Sequence, residues 1–269
     1  MTRENQRRVV DWSVNAIVLF VCCIMVLPTL IVVPISFSSA DFISFPPVGF
    51  SLRWYELFFT SRQWQHAAAN SLIVATGAAL LATALGTLAS LGAIRLAKPF
   101  ATPITLSLLL PLMMPSIVTA IALYRGYAYL RLSGTVPGLI LAHAILGLPF
   151  VVINVSAALQ KMDWRAENAA RSLGASPARA FFLVVLPTIR PGIVAGAAFA
   201  FLTSFDDVVV ALFMSGIEAT TLPVQMWNGI RFEISPAVAA VSTILLALSC
   251  VVIAIYFAAR GITDHVRRQ

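Results

Sequence analysis

Two neighbouring carboxylates, Asp206 and Asp207, sit at the end of an apolar run, and no other pair in the sequence is better placed to do chemistry. A charge in the middle of a membrane helix costs about 2.5–3.5 kcal/mol on insertion scales, so such groups face a bundle interior or a wet cavity. Counted at about 1.5 Å per residue from Pro191, the pair lies roughly 22 Å along its helix, past the bilayer midplane. Facing a pathway, the two acids would attract a cation. Alternatively they form a structural pair with Arg125, at similar depth in another apolar run, or with a partner subunit. His66, His143 and His265 are scattered, and His143, in the middle of an apolar run, is either a relay or a polar packing contact. Cys22, Cys23 and Cys250 lie inside apolar runs without metal-ligand or disulfide spacing and read as small buried apolar residues. No Ser/His/Asp set is present. The two lysines, Lys98 and Lys161, lie outside any Gly-x4-Gly-Lys-Ser/Thr loop, so the chain has no means of cradling nucleotide phosphates. It reads as neither an enzyme nor an ATPase.

The elements that hold these residues are membrane helices. Of 269 residues, 59% are hydrophobic and only 11% charged, and the mean hydropathy is +0.91. Soluble domains are about a quarter charged, so this chain needs lipid as solvent. The length suits one membrane domain over residues 1–269. The expected fold is an all-α polytopic membrane protein with six spans of about 20 apolar residues, over 13–35, 67–94, 104–128, 138–158, 191–214 and 236–259. The run Ala16 to Ile35 is longer than a signal-peptide core and lacks a small-residue cleavage site, so it counts as a span. With the N-terminus inside, thirteen of the 18 basic residues fall on the cytoplasmic side, including Arg3, Arg7, Arg8, Lys98, Arg260, Arg267 and Arg268. Arg53, Arg62, Arg125, Arg131 and Arg231 fall outside or near the outer ends. The positive-inside rule therefore puts both termini in the cytoplasm. The net charge of +7 becomes a topology signal rather than a nucleic-acid patch.

Small residues mark where membrane helices approach closely. Ala78, Ala82, Gly86 and Ser90 recur every four residues in the second span, as do Gly192, Gly196, Ala200 and Ser204 in the fifth. Each track implies a close contact within the chain or with a partner. Pro111 and Pro115 should kink the third span and Pro149 the fourth. The outer loop over 37–65 is aromatic-rich and carries Trp54. It either lies along the interface, as Trp and Tyr prefer, or cradles an external partner.

The cytoplasmic loop over 160–190 is patterned differently. Residues 163–173 read as a short helix with Ala169, Ala170 and Leu173 as an apolar stripe. Gly174 stops it by supplying a left-handed turn. Ser176-Pro177 restarts a helix, with Ser as cap and Pro at the first position. Leu186-Pro187 is expected to end it, and Pro191-Gly192 to open the fifth span. A helix-turn-helix knob outside the membrane suits insertion into a groove on another protein.

Asn168-Ala169-Ala170-Arg171-Ser172-Leu173-Gly174, nine residues, then Val184-Val185-Leu186-Pro187 resembles the EAA loop of ABC-importer permeases. Asn168 stands where that motif has Glu, and Val184 where it has Ile. Glu167 precedes Asn168 and can stand in for the missing acid, although it points about 100° away around the helix. Phe205-Asp206-Asp207-Val208-Val209-Val210, Thr220-Thr221-Leu222-Pro223-Val224, Ile234-Ser235-Pro236 and Gly49-Phe50-Ser51-Leu52-Arg53-Trp54-Tyr55 are similar to the spermidine/putrescine branch. The resemblance implies half of a translocation pathway, completed by a second permease that in this branch is usually a different chain. It implies a dimer of ABC ATPases, which bind the ATP and Mg, so that no cofactor belongs to this chain. It also implies a periplasmic solute-binding protein and a bacterial inner-membrane location. ATPase coupling would fall to Glu167, Asn168, Ala169, Ala170, Gly174, Leu186 and Pro187. The pathway would include Asp206, Asp207, Ser116 and Trp54. The implied solute is a polyamine or another small cation. Ser116 replaces an acid that often follows Pro115 in relatives, which keeps open an amino-acid derivative, an opine or a similar solute. A stand-alone secondary transporter would need inverted repeats, and none is evident.

Overall fold

The computed structural model describes residues 3–96, 98–233 and 235–266; its side chains are described for 12–96, 99–232 and 235–251. The side chains of Arg3, Arg7, Arg8, Lys98, Arg260 and His265, and the whole of Ile234, Arg267 and Arg268, lie outside the described residues. Every regular element among the described residues is helical. In chain order they are α1 (Arg3–Ile35), α2 (Arg53–Thr60), α3 (Arg62–Arg95), α4 (Lys98–Met113), α5 (Ser116–Tyr129), α6 (Val136–Gln160), α7 (Trp164–Ser172), α8 (Pro177–Ala180), α9 (Leu186–Asp206), α10 (Val209–Met214), α11 (Leu222–Asn228) and α12 (Ala237–Val266). One-turn π-helices at Phe181–Val185 and Gly229–Glu233 join α8 to α9 and follow α11.

Four helical stretches are long and apolar enough to cross a bilayer: Trp12–Ile35, Arg62–Arg95, Val136–Gln160 and Pro177–Asp206. The expected third span, 104–128, is not one straight helix. Its arms α4 and α5 are bent by 103°, so they make a fifth span only if counted together. Pro115 has no N–H to continue the helix, and it pushes Met114 out of the helical region. The sixth expected span, 236–259, falls in α12, whose side chains are described only as far as Val251; the side chains of the rest of its apolar run lie outside the described residues. Among the described residues, length and composition support four or five of the six expected spans.

The chain forms two compact units. One holds residues 1–62 and 228–269. In it Phe37 stacks on Phe50 with ring centroids 5.3 Å apart, and the Tyr55 hydroxyl meets Ser36 Oγ at 2.6 Å. Cys22, Cys23 and Cys250 are exposed rather than buried. In a bilayer the apolar solvent lies outside the helix, so an apolar run does not imply an interior position.

The second unit, residues 63–227, carries the loop and the acidic pair. Its centre is α6, gripped by both small-residue tracks. A Cβ on Gly86 of α3 would lie 2.8 Å from the Val151 side chain, and one on Gly196 of α9 would lie 2.8 Å from Val151 Cα. A Cβ on Gly147 would meet Ala200 Cβ at 2.9 Å and Ala82 Cβ at 3.5 Å. Of the two contacts the tracks allowed, within the chain or with a partner, α6 supplies the first. Ala78, Ala82, Val151, Val155 and Ala200 fill the resulting core. A second cluster packs α5 and α10 against α3 and α6 through Val74, Ala120, Leu139, Ala142, Val210 and Met214. At one end of this unit Asn70 Nδ2 donates to the carbonyls of Glu218 and Thr220 at 2.8 and 3.0 Å. Ser71 Oγ accepts from Leu222 N at 2.7 Å. These bonds pin the segment before α11 to α3.

Candidate functional site

The patterned loop and the acidic pair lie toward opposite ends of α6. Between His143, beside the acids, and Gln160, where the loop begins, the helix advances about 25 Å.

The loop starts where Asp163 caps α7, its carboxylate accepting from Arg165 N at 3.0 Å. Leu173 N and Ala175 N bond back to the carbonyls of Ala169 and Ala170, closing the helix. Gly174 takes φ +88°, a conformation that L side chains rarely adopt. Ser176 then accepts from Arg179 N at 3.3 Å and starts α8, with Pro177 at the first position. These local signals were all in the sequence. The expected stop at Leu186-Pro187 does not occur: helix continues from Pro177 to Asp206. Pro187 is accommodated because the turn before it, Phe181–Val185, widens to a π-helix. That widening relieves the clash between the proline ring and the carbonyl one turn back. Leu186 is half-buried and Pro187 exposed within this helix.

Within α7 the side chains divide sharply. Glu167 points inward and is 8% exposed. Its Oε1 lies 3.4 Å from Arg95 Nη2, on the last residue of α3. Asn168 and Ala169 are exposed, Ala170 is half-buried, and Leu173 is 89% exposed. An open cleft of about 420 Å3 between the end of α3 and the loop is lined by Ile94, Arg95, Trp164, Glu167, Asn168, Arg171 and Pro177.

At the acidic pair the helix breaks. α9 ends at Asp206, Asp207 is extended (φ −70°, ψ 124°), and α10 starts at Val209. The expected span over 191–214 is thus interrupted at its carboxylates. Asp207 makes the interruption self-consistent: its Oδ2 accepts from Ala211 N at 2.8 Å, satisfying a donor of the new helix. The same oxygen lies 3.6 Å from Nε2 of His143, whose side chain is fully buried. His143 Nδ1 meets Ser204 Oγ at 2.8 Å. With Ser204 donating to Nδ1, the imidazole presents its Nε2–H to the carboxylate. Ser204 and Asp207, three residues apart, bracket the imidazole. Asp206 is exposed and makes no ion pair or hydrogen bond among the described residues. Arg125, also exposed, pairs with neither acid.

Ser116 and Trp54 are the other expected pathway residues. Ser116 is exposed at the first position of α5, just past the 103° bend. Trp54 belongs to the other compact unit, where its Nε1 donates to Ser38 O at 2.9 Å and Arg53 lies 4.3 Å over its ring. Arg95 and Ser204 escaped functional notice in the sequence. Arg95 read only as one of the thirteen basic residues on the cytoplasmic side, and Ser204 only as a small packing residue. The spacing of Ser204 and Asp207, one helical turn apart, was the available signal.

Over residues 82–268 the chain matches the family described as binding-protein-dependent transport system inner membrane component. It is 34% identical to the putrescine transport system permease protein PotI of Escherichia coli over 89% of this chain and 88% of that protein. It is 32% identical to the spermidine/putrescine transport system permease protein PotC of Haemophilus influenzae, over 87% and 91%. Among solved structures, a bacterial ABC transporter that imports the acidic polysaccharide alginate superposes with a TM-score of 0.70, at 14% identity, over 97% of this chain and 98% of that one. Proteins of this kind are permease subunits of ABC importers and not enzymes; they work with a second permease and a binding protein, and ATP hydrolysis belongs to a partner ATPase. An all-helical chain with a patterned loop, no phosphate-binding loop of its own and a broken helix carrying acids in its bundle accordingly belongs to the inner-membrane components of binding-protein-dependent transport systems.

Proposed function

We propose that this chain forms half of the pathway of an ATP-driven importer of polyamines or similar small cationic solutes. Identity of 32–35% to permeases named for putrescine and spermidine supports the solute class. The observation that carries the reading is Asp206: an acid at a helix break, exposed and unpaired, beside a partner acid already engaged. Such a carboxylate can meet an ammonium group without first breaking an ion pair. Having one free acid rather than two favours a solute, or a solute end, bearing a single charge, which leaves room for an amino-acid derivative.

The loop docks onto the ATPase through its exposed face: Asn168, Ala169, Leu173 and the turn at Gly174. ATP and Mg are bound by a dimer of ATPase subunits, and this chain holds no cofactor. The second permease is a different chain, a periplasmic binding protein delivers the solute, and both termini are cytoplasmic, as the distribution of Lys and Arg implies.

The test is uptake of radiolabelled putrescine by the complete transporter in proteoliposomes. Asp206→Asn should lower uptake about tenfold, the scale of one charge-assisted contact, with assembly unchanged. Undiminished putrescine uptake by this variant would remove Asp206 from the pathway.

A further inference from the structure

The neighbouring acid in the loop, Glu167, has an obvious reading: it replaces the missing motif acid at Asn168 and meets the ATPase. Its geometry argues against that. The carboxylate is turned into the chain, with its side chain 11% exposed, and its near cation is Arg95 of α3. The outward position on the same helical turn belongs to Asn168. A carboxylate turned inward beside Arg95 is not the group the loop presents outward.

We propose that Glu167 is a positioning residue that straps the docking loop to α3 through Arg95, so that α3 receives the loop's movement directly. This rests on the docking reading above and adds the route inward. Covalently, α7 is continuous with α6 on one side and with α8 and α9 on the other. Neither connection reaches α3, whose C-terminal residue is 72 positions away from Glu167 in sequence. The Arg95–Glu167 pair closes that gap. It sits at the open cleft, where water screens it in part, so its strength is modest. It therefore acts as a link that can be broken and remade, which suits a loop pulled cyclically. α3 in turn carries Asn70 and Ser71, which hold the segment before α11 near the opposite end of the unit. Movement received at Arg95 has a continuous helix to travel along.

The test uses the complete transporter with its own binding protein. Two readouts are taken: ATPase retained on the permease after affinity purification, and the stimulation of ATP hydrolysis by the putrescine-loaded binding protein. Glu167→Arg and Arg95→Glu should each keep the ATPase bound but cut the stimulation about fivefold. The double variant, with the charges exchanged, should restore it. Glu167→Gln, which removes only the charge, covers the case in which a reversed charge prevents folding, and should fall between. Failure of the exchanged pair to restore stimulation would overturn the strap. So would loss of bound ATPase from Glu167→Arg but not from Arg95→Glu, which would make Glu167 a direct ATPase contact. Leu173→Arg tests the underlying docking reading separately. If that variant retains the ATPase at wild-type levels, docking through this face fails, whatever the charge exchange does.

Discussion

The patterned loop and the helix break solve one geometric problem in the same way. Each contains two adjacent polar residues, Glu167-Asn168 inside α7 and Asp206-Asp207 where α9 ends and the backbone turns extended. Neighbours on a helix point about 100° apart, so both cannot face the same surroundings. In the loop the first residue turns inward to Arg95 and the second outward. At the break the order reverses: Asp206 turns outward, and Asp207 turns inward to Ala211 N and toward His143. The inner residue secures the backbone, and the outer one is left free. The inner partners differ in kind. The loop uses an exposed arginine, which water can screen and motion can separate. The break uses an imidazole with 0% exposure, gripped by Ser204. On the proposed reading, a loop that yields under load and a site that keeps its shape call for different partners.

This comparison can be broken in several places. Gly196→Val should have the largest effect. It forces a Cβ into Val151 Cα across the α6–α9 contact and removes the shared support of both sites. The expected outcome is loss of folded protein, seen as aggregation in size-exclusion chromatography of the detergent extract. Next comes His143→Leu, which leaves Ser204 Oγ unpartnered and removes the imidazole facing Asp207. The cost of an unsatisfied buried polar group is about 1–3 kcal/mol, read as a lowered midpoint in a thermal-shift assay. His143→Gln, which can still present a donor to the carboxylate, should recover part of it. Asp207→Asn sharpens the division of roles. An amide oxygen can still accept from Ala211 N, so the apparent KM for putrescine should change less than in Asp206→Asn. The smallest effect belongs to Asp163→Ala in the loop. Loss of this helix cap costs about 1 kcal/mol and should show as faster proteolysis of the loop, with the transport core intact.

Much of this was legible in the sequence wherever a local rule decides the outcome. Gly174 and Ser176-Pro177 set the turn and the start of α8 as expected, and Asp163, read only as the first residue of the short helix, caps α7, because caps and left-handed turns depend on a few neighbouring atoms. The small-residue tracks marked close packing but not its partner, since any smooth helix face would have served; α6 is revealed only by the fold. Proline was harder to read. Pro115 broke its helix by 103°, while Pro187 was absorbed by a π-turn. The same missing N–H thus had opposite consequences: the turn before Pro187 is widened and the helix goes on, whereas the helix before Pro115 stops. The interruption at Asp207 was hidden for a related reason: apolar Val208, Val209 and Val210 read as continuing span, whereas the carboxylate was already committed to capping the next helix. Charge partners across the unit, Arg95 with Glu167 and His143 with Asp207, depend on long-range packing that no spacing rule encodes.

The division between inner and outer residue is tested most directly by thiol accessibility at the break. In the assembled transporter, with Cys22, Cys23 and Cys250 replaced by Ser, Asp206→Cys and Asp207→Cys would each be exposed to a membrane-impermeant thiol reagent with and without putrescine. Asp206→Cys should react readily and be protected by putrescine, while Asp207→Cys reacts slowly in both conditions. Fast, putrescine-protected labelling at 207 with none at 206 would contradict the account.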